Sequence, residues 1–209
     1  MKVSKLLFRI FLAGIFCFVF SDRANAQWWQ GAVTYQVSFP TGDTKDFTDG
    51  TSFRGVGLDF RTPLDENTTW GLFAGWNVFH KRITTSIDVQ FQDVPGVVTG
   101  LQDRTLNAFP IMLNIHRYFG QTNGIRPYVG LNAGGFINLQ RFEIGILSLD
   151  ENRWDWGGAP EVGVLIPLQN ELTLLISGKF NYAFTGKSVI GTDINNSYFN
   201  INIGFAWKE

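Results

Sequence analysis

The chain has 209 residues, 17 Lys+Arg against 18 Asp+Glu, two His, 23 Gly and 20 Phe, with 44% of residues hydrophobic. That balance leaves no basic stripe for nucleic acid. The single cysteine, Cys17, excludes an intrachain disulfide or a thiolate-ligated metal site. The length suits one domain.

Residues 1–26 read as a cleaved secretory signal. Lys2, Lys5 and Arg9 form a positive start, Ile10 to Phe20 an apolar run, and Ala24-Asn25-Ala26 an A-x-A cleavage site, so the mature domain is expected to span 27–209. The uncharged stretch between Arg9 and Asp22 is shorter than the roughly 20 residues of a spanning helix. Cys17 leaves with the signal, and Phe16 before it argues against a lipid-modified cysteine. The mature part keeps 13 of the Lys+Arg and 17 of the Asp+Glu, a net charge of −4. An exported chain without disulfides must be held by packing or by a closed sheet.

Beyond the signal, strand-like segments recur and helix-period patterns do not. Eight strands are predicted, roughly at 31–40, 52–61, 69–82, 104–118, 126–140, 154–166, 171–184 and 197–207. Most are long enough to cross a bilayer, which takes about 9–11 residues at barrel tilt. In the first, Val33, Tyr35, Val37 and Phe39 oppose Thr34, Gln36 and Ser38. In the third, Trp70, Leu72, Ala74, Trp76 and Val78 oppose Gly71, Phe73, Gly75 and Asn77. The fourth sets Phe109, Ile111, Leu113 and Ile115 against Met112, Asn114 and His116. The fifth loses phase around Gly134-Gly135-Phe136, where a bulge is expected. The last alternates most cleanly, with Phe199, Ile201, Ile203, Phe205 and Trp207 against Tyr198, Asn200, Asn202, Gly204 and Ala206. Mid-strand charges fall almost wholly on the polar face, and no internal run after residue 26 would form a spanning helix. The pattern therefore predicts an all-β fold: a closed antiparallel eight-stranded transmembrane β-barrel in an up-and-down meander.

The predicted connections alternate. Those near 62–68, 120–124 and 167–171 are tight; those near 41–51, 83–103, 141–153 and 186–196 are longer. Short periplasmic turns and long outer loops are usual in such barrels, and an even strand count puts both mature termini in the periplasm. Trp70, Tyr118, Phe119, Tyr128 and Trp207 share the predicted periplasmic end of their strands, where an aromatic girdle is expected.

The signal, the eight strands, and the runs Tyr35-Gln36-Val37-Ser38-Phe39-Pro40-Thr41-Gly42-Asp43 and Arg126-Pro127-Tyr128-Val129-Gly130 resemble the small outer-membrane β-barrel proteins of Gram-negative bacteria. The outer-membrane protein X type and the Bacteroidetes-type barrel-domain proteins are nearest in pattern. The resemblance covers the mature chain as a pattern rather than a sharp motif. It implies the outer membrane of a Gram-negative bacterium, outer-membrane lipid and the assembly machinery as partners, and a monomer. Barrels of this kind often end on an aromatic residue; here Lys208-Glu209 follow Trp207.

The predicted lumen set includes Asp59, Asn114, His116, Glu161 and Lys179. A tight turn at 167–171 sets Glu161 opposite Ser177 and one diagonal from Lys179, close enough for an ion pair. Eight strands leave room only for side chains or one small ligand, so a polar plug is expected. No catalytic residue, cofactor or metal is expected. His80 lies near the outer rim with Ser86 beyond it, as in lipid-modifying barrel enzymes, but the spacing matches no His/Ser motif and no carboxylate is evident beside the imidazole. Asp43, Asp46 and Asp49 do not have calcium-loop spacing. The stretch 84–104 alternates on both sides of Pro95-Gly96, which suits a type II turn. It reads either as a hairpin above the membrane whose edge can pair with a protein partner or as an outer loop without a core.

The function that follows is a non-catalytic structural or surface-interaction role. A conduit or binder for a small or hydrophobic solute and a lipid-modifying enzyme are the alternatives. A soluble lipocalin-like barrel would require the inverse pattern, apolar inside and charged outside.

Overall fold

Side chains that alternate in polarity along every strand need a sheet with one wet or paired face and one apolar face, and here that sheet closes on itself. The computed structural model describes residues 30–91, 94–121, 124–144, 147–168, 172–184 and 195–208, with side chains described for all but 85–91, 94–99, 147 and 208. The expected export segment and its cleavage point after Ala26 lie outside the described residues.

The strands are β1 (Gln30–Thr41), β2 (Gly55–Asp65), β3 (Thr68–Phe91), β4 (Val94–Tyr118), β5 (Arg126–Ile144), β6 (Leu147–Pro167), β7 (Leu172–Phe184) and β8 (Asn196–Lys208), with one short helix, α1 (Gly42–Phe47). They form a closed barrel in sequence order. All pairs are antiparallel, and β8 returns to β1 from Gln30↔Lys208 to Thr41↔Ser197. Closure leaves no strand edge within the barrel wall, the condition for spanning lipid with a sheet.

The faces are opposite to those of a soluble barrel. Leu58, Leu72, Leu113, Leu131, Val162 and Ile203 are exposed on the outside, while Gln36, Asp59, Asn77, Asn132, Lys179 and Asn200 are buried inside. No helix among the described residues is long and apolar enough to cross a membrane.

Several boundaries differ from the sequence expectation. β5 contains no bulge: its register with β4 runs unbroken from Gln102↔Ile144 to Tyr118↔Tyr128. Gly134 and Gly135 blur the pattern because they carry no side chain, not because the backbone changes phase. The irregularity lies instead at Pro63/Asp65. Within the expected loop at 141–153, residues 141–144 and 147–153 are strand, and Arg141, Glu143 and Asn152 continue the outward series with polar side chains. The 84–104 stretch does pair as a tall hairpin, but Pro95 pairs with Gln90 and Gly96 with Val89, so Pro-Gly lies within the ladder, which runs to Phe91↔Val94. The loop after β1 contains α1, entered through Gly42 at φ 49°, a left-handed conformation that favours glycine.

The wall makes a direct prediction. Ile203 is outward and exposed and Asn202 inward and buried. Ile203→Arg is expected to destabilise the folded barrel in lipid by about 2–4 kcal/mol at mid-depth, whereas Asn202→Ser should be mild. Equal urea midpoints for the two variants in lipid vesicles would contradict the assignment of faces.

Candidate functional site

The bore is filled in three layers. The upper layer is apolar: Phe73, Phe79, Leu106, Met112, Phe136 and Tyr198 form one buried cluster, against which Phe47 of α1 packs. The lower layer holds Tyr118, Tyr128, Leu165 and Leu175. Between them lies the charged layer, to which β2, β4, β5, β6 and β7 each contribute an ionised or imidazole side chain or its hydrogen-bond partner.

Glu161 is its centre. Lys179 Nζ lies 3.1 Å from Oε2, the Tyr128 hydroxyl donates to Oε1 at 2.7 Å, and Asn132 Nδ2 donates to Oε2 at 3.3 Å. His116 Nε2 stands 3.5 Å from Oε2, and Arg61 Nη2 is 3.9 Å from Oε1. Arg61 also bridges to Asp59 at 2.7 Å and donates to the Tyr118 hydroxyl at 2.9 Å. Asn114 Nδ2 donates to Asp59 Oδ1 at 2.9 Å. The Lys179 ammonium sits 3.4 Å from the centre of the Phe73 ring, joining the charged layer to the apolar one. Two glycines make this possible: a Cβ on Gly130 would meet the His116 ring at 2.3 Å, and one on Gly163 would meet the Tyr128 ring at 2.6 Å.

Glu161 faces Lys179 directly in the β6–β7 ladder, not one diagonal away, because Pro167 pairs with Thr173 and sets the turn one step differently. Two members of the expected girdle are also elsewhere. Trp70 and Trp207 are outward, 39% and 36% exposed, but Tyr118 and Tyr128 are 3% and 2% exposed and lie in the bore. The physical reason is parity: Tyr118 shares the inward face of β4 with Asn114 and His116, and a strand cannot turn one residue outward without changing phase. Arg61 was not among the residues singled out, although it sits two positions from Asp59 and so on the same face.

At the end of the barrel away from Gln30 and Lys208, α1 is tied to the start of β8. Ser197 N donates to Thr44 Oγ1 at 2.8 Å, Thr44 Oγ1 donates to Asn196 Oδ1 at 3.1 Å, and Asn195 N donates to Asp43 Oδ2 at 3.0 Å. The Arg104 guanidinium lies 5.6 Å from the Phe47 ring and 5.7 Å from that of Phe142. Asp49 pairs with Lys81 at 2.7 Å.

On the outside of the upper wall, His80 Nε2 lies 2.7 Å from Asp103 Oδ1, so a carboxylate does stand beside this imidazole. Arg82 also binds Asp103, and its hydrogen bond, with the nearby positive charge, holds that carboxyl below the usual range. Ser86 is six residues further along the same extended strand, about 20 Å at the rise of a strand.

The charged layer generates a second prediction. Removing one partner of a buried ion pair costs about 3–5 kcal/mol. Glu161→Gln and Lys179→Met should each destabilise the barrel, and the double variant should recover part of the loss. Strictly additive losses in the double-mutant cycle would show that the pair is not coupled.

No family model matches the chain, and no curated protein matches it in sequence. Solved structures do. Neisserial surface protein A is 12% identical over 89% of this chain and 99% of its own, with a TM-score of 0.53. Ail, the attachment invasion locus protein of Yersinia pestis, is 14% identical over 87% and 99%, with a TM-score of 0.48. Outer membrane protein W of E. coli is 17% identical over 89% and 100%, with a TM-score of 0.47. The apolar outer wall, the paired charges inside and the Neisserial likeness together give this chain the fold of the small eight-stranded outer-membrane β-barrels.

Proposed function

We propose that this protein is a non-catalytic barrel of the outer membrane of a Gram-negative bacterium, with a closed bore and a surface-interaction role carried by the sheet that rises above the lipid. The observation that carries this reading is the filling of the bore. Glu161 draws side chains from β2, β4, β5 and β7 across the lumen, between an apolar layer above and an aromatic one below. Within a bore of eight strands such a layer occupies the space a water path would need. The tall β3–β4 and β5–β6 hairpins supply an extended outer surface. The short turns share an end with Gln30 and Lys208, which supports periplasmic termini.

Two measurements test this. In planar bilayers the protein should show no large steady conductance; sustained open current would overturn the closed bore. Epitope tags inserted between Phe91 and Val94, or between Ile144 and Leu147, should be accessible on intact cells, and a tag at Glu66–Asn67 hidden. The opposite accessibility would reverse the orientation.

A second reading, a conduit for hydrophobic solutes, is favoured by one feature. The β6–β7 ladder is interrupted between Glu161↔Lys179 and Gly158↔Tyr182, skipping Ala159 and Pro160, the second of which has no N–H to donate. The buried side chain of Ala159 at this interruption belongs to the apolar layer. If solute passes there, uptake of a hydrophobic dye into vesicles should depend on the protein and should stop when Cys residues at 160 and 180 are cross-linked. Uptake unaffected by the cross-link would discard the lateral route.

A further inference from the structure

The four tall strands, β3 to β6, rise past the rest of the barrel as a sheet with two side edges. On one side β6 continues beyond its last β7 pair, Trp156↔Phe184, and carries Asp155, Arg153, Glu151 and Asp150. Dense charge of this kind is how natural sheets protect an edge. On the other side β3 rises past its last β2 pair, Gly55↔Asn77. The residues before β2 flank it a little further. Val78 N donates to Arg54 O at 3.0 Å, Ser52 Oγ donates to Val78 O, and Lys81 pairs with Asp49 at 2.7 Å. Beyond Lys81 no backbone among the described residues pairs with this side of β3. Its ladder with β4 meanwhile runs without a bulge from Asn77↔Ala108 to Phe91↔Val94.

The edge at 83–91 reads Ile-Thr-Thr-Ser-Ile-Asp-Val-Gln-Phe, with Asp88 its one charge and no Lys, Pro or Gly. It therefore lacks the devices that blunt an edge, while its β-branched residues favour strand. Val78 turns both its N–H and its C=O to this side. Alternation along the ladder turns the backbone groups of Arg82, Thr84, Ser86, Asp88 and Gln90 the same way. A strand running antiparallel along them would complete the ladder, and the segment is its own complement. In the register that sets Thr85 opposite Thr85 of a second copy, Arg82 falls opposite Asp88, Ile83 opposite Ile87 and Thr84 opposite Ser86. Opposite charges, aliphatic pairs and hydroxyl pairs are the cross-strand combinations that stabilise a sheet. Asp103 takes Nε and Nη2 of Arg82, yet the Arg82 side chain remains 59% exposed.

We propose that the β3 edges of two copies pair antiparallel, with the copies in facing membranes, so that the barrel makes a homotypic contact between cells. The pairing rests on the surface-interaction role proposed above and names its partner. Strand direction selects the facing arrangement. Every β3 in one membrane rises outward from Thr68, so neighbours in that membrane can bring these edges together only in parallel. The in-register parallel pair sets Arg82 against Arg82 and Asp88 against Asp88, which is repulsive. Barrels in opposed membranes present edges that run in opposite directions. The centre of the contact, Thr85, stands nine residues beyond the outward-facing Trp76, about 30 Å along the strand. The contact is isologous, so it closes as a pair and does not propagate as a fibre.

The test displays the full-length protein on two cell populations that lack long surface polysaccharide and carry different fluorophores, and counts mixed clusters by flow cytometry. The unmodified protein should give mixed clusters well above those of cells without it. Arg82→Asp on both populations, or Asp88→Arg on both, should lower them by about fivefold or more, because favourable pairs become repulsive and many contacts act together. Mixing Arg82→Asp cells with Asp88→Arg cells should restore them, since each charge then meets its opposite. Arg117→Gln, at the other end of the barrel, should change nothing. Heat-modifiability on gels checks that each variant is folded. Clusters that survive both charge reversals, or that the mixed reversals fail to restore, would overturn the β3 pairing. Equal clustering of displaying cells with cells that lack the protein would show a different surface partner and overturn the second copy. No clustering while a tag between Phe91 and Val94 is accessible would overturn the homotypic contact and leave the surface role standing; a hidden tag would overturn both.

Discussion

Everything in this structure depends on satisfying the backbone in a sheet that has lipid on one side. In hydrocarbon an unpaired N–H or C=O costs several kcal/mol, about the net stability of a small domain. The β1–β8 ladder removes that cost by closing the sheet over the whole length of β1. Once closed, the wall leaves each side chain only two environments, lipid or bore. The sequence alternation then sorts them, so that a single change of phase would carry every charge on that strand into lipid.

Closure also makes an electrostatic problem, because the bore receives Asp59, Arg61, His116, Glu161 and Lys179 together. Arg126, Glu151 and Asp155 are buried at other heights, but these five are not spread along the barrel. They meet in one layer where Glu161 accepts from several strands, with Arg61 linking it to Asp59. Such a layer ties together strands distant in sequence: Lys179 on β7 and His116 on β4 meet on the same carboxylate. The apolar layer above keeps the ion pairs in a poorly solvated space. There their attraction is strong and the loss of one partner is costly.

Above the lipid the constraint is released on the outer face only. Arg82, Asp103, Arg141 and Asp150 stand where Trp76, Phe109 and Trp154 stand lower down, on the same strands and with the same parity. The sheet continues because ladder hydrogen bonds do not require an apolar neighbour. The charges arrange themselves as cross-strand pairs rather than disrupting it. The strands that hold the barrel in the membrane thus also carry its exposed surface, with no hinge between them.

The fold was legible in the residues because period-two alternation and the absence of a spanning helix admit little else. The inward positions of Asp59, Asn114, His116, Glu161 and Lys179 follow from parity alone. Parity also placed Tyr118 inside, and reading it as girdle gave residue type priority over phase. What the sequence by itself did not determine is how strands meet. Register across β6–β7 set Glu161 against Lys179 rather than Ser177, and Asp103 reaches His80 only because β3 and β4 stay paired far above the lipid. The reach of those hairpins was hidden because a polar outer face looks like loop in one dimension. Which strand a side chain faces, and at what height, is decided by closure and stagger of the whole barrel. Those are properties of all eight strands together and are written in no one of them.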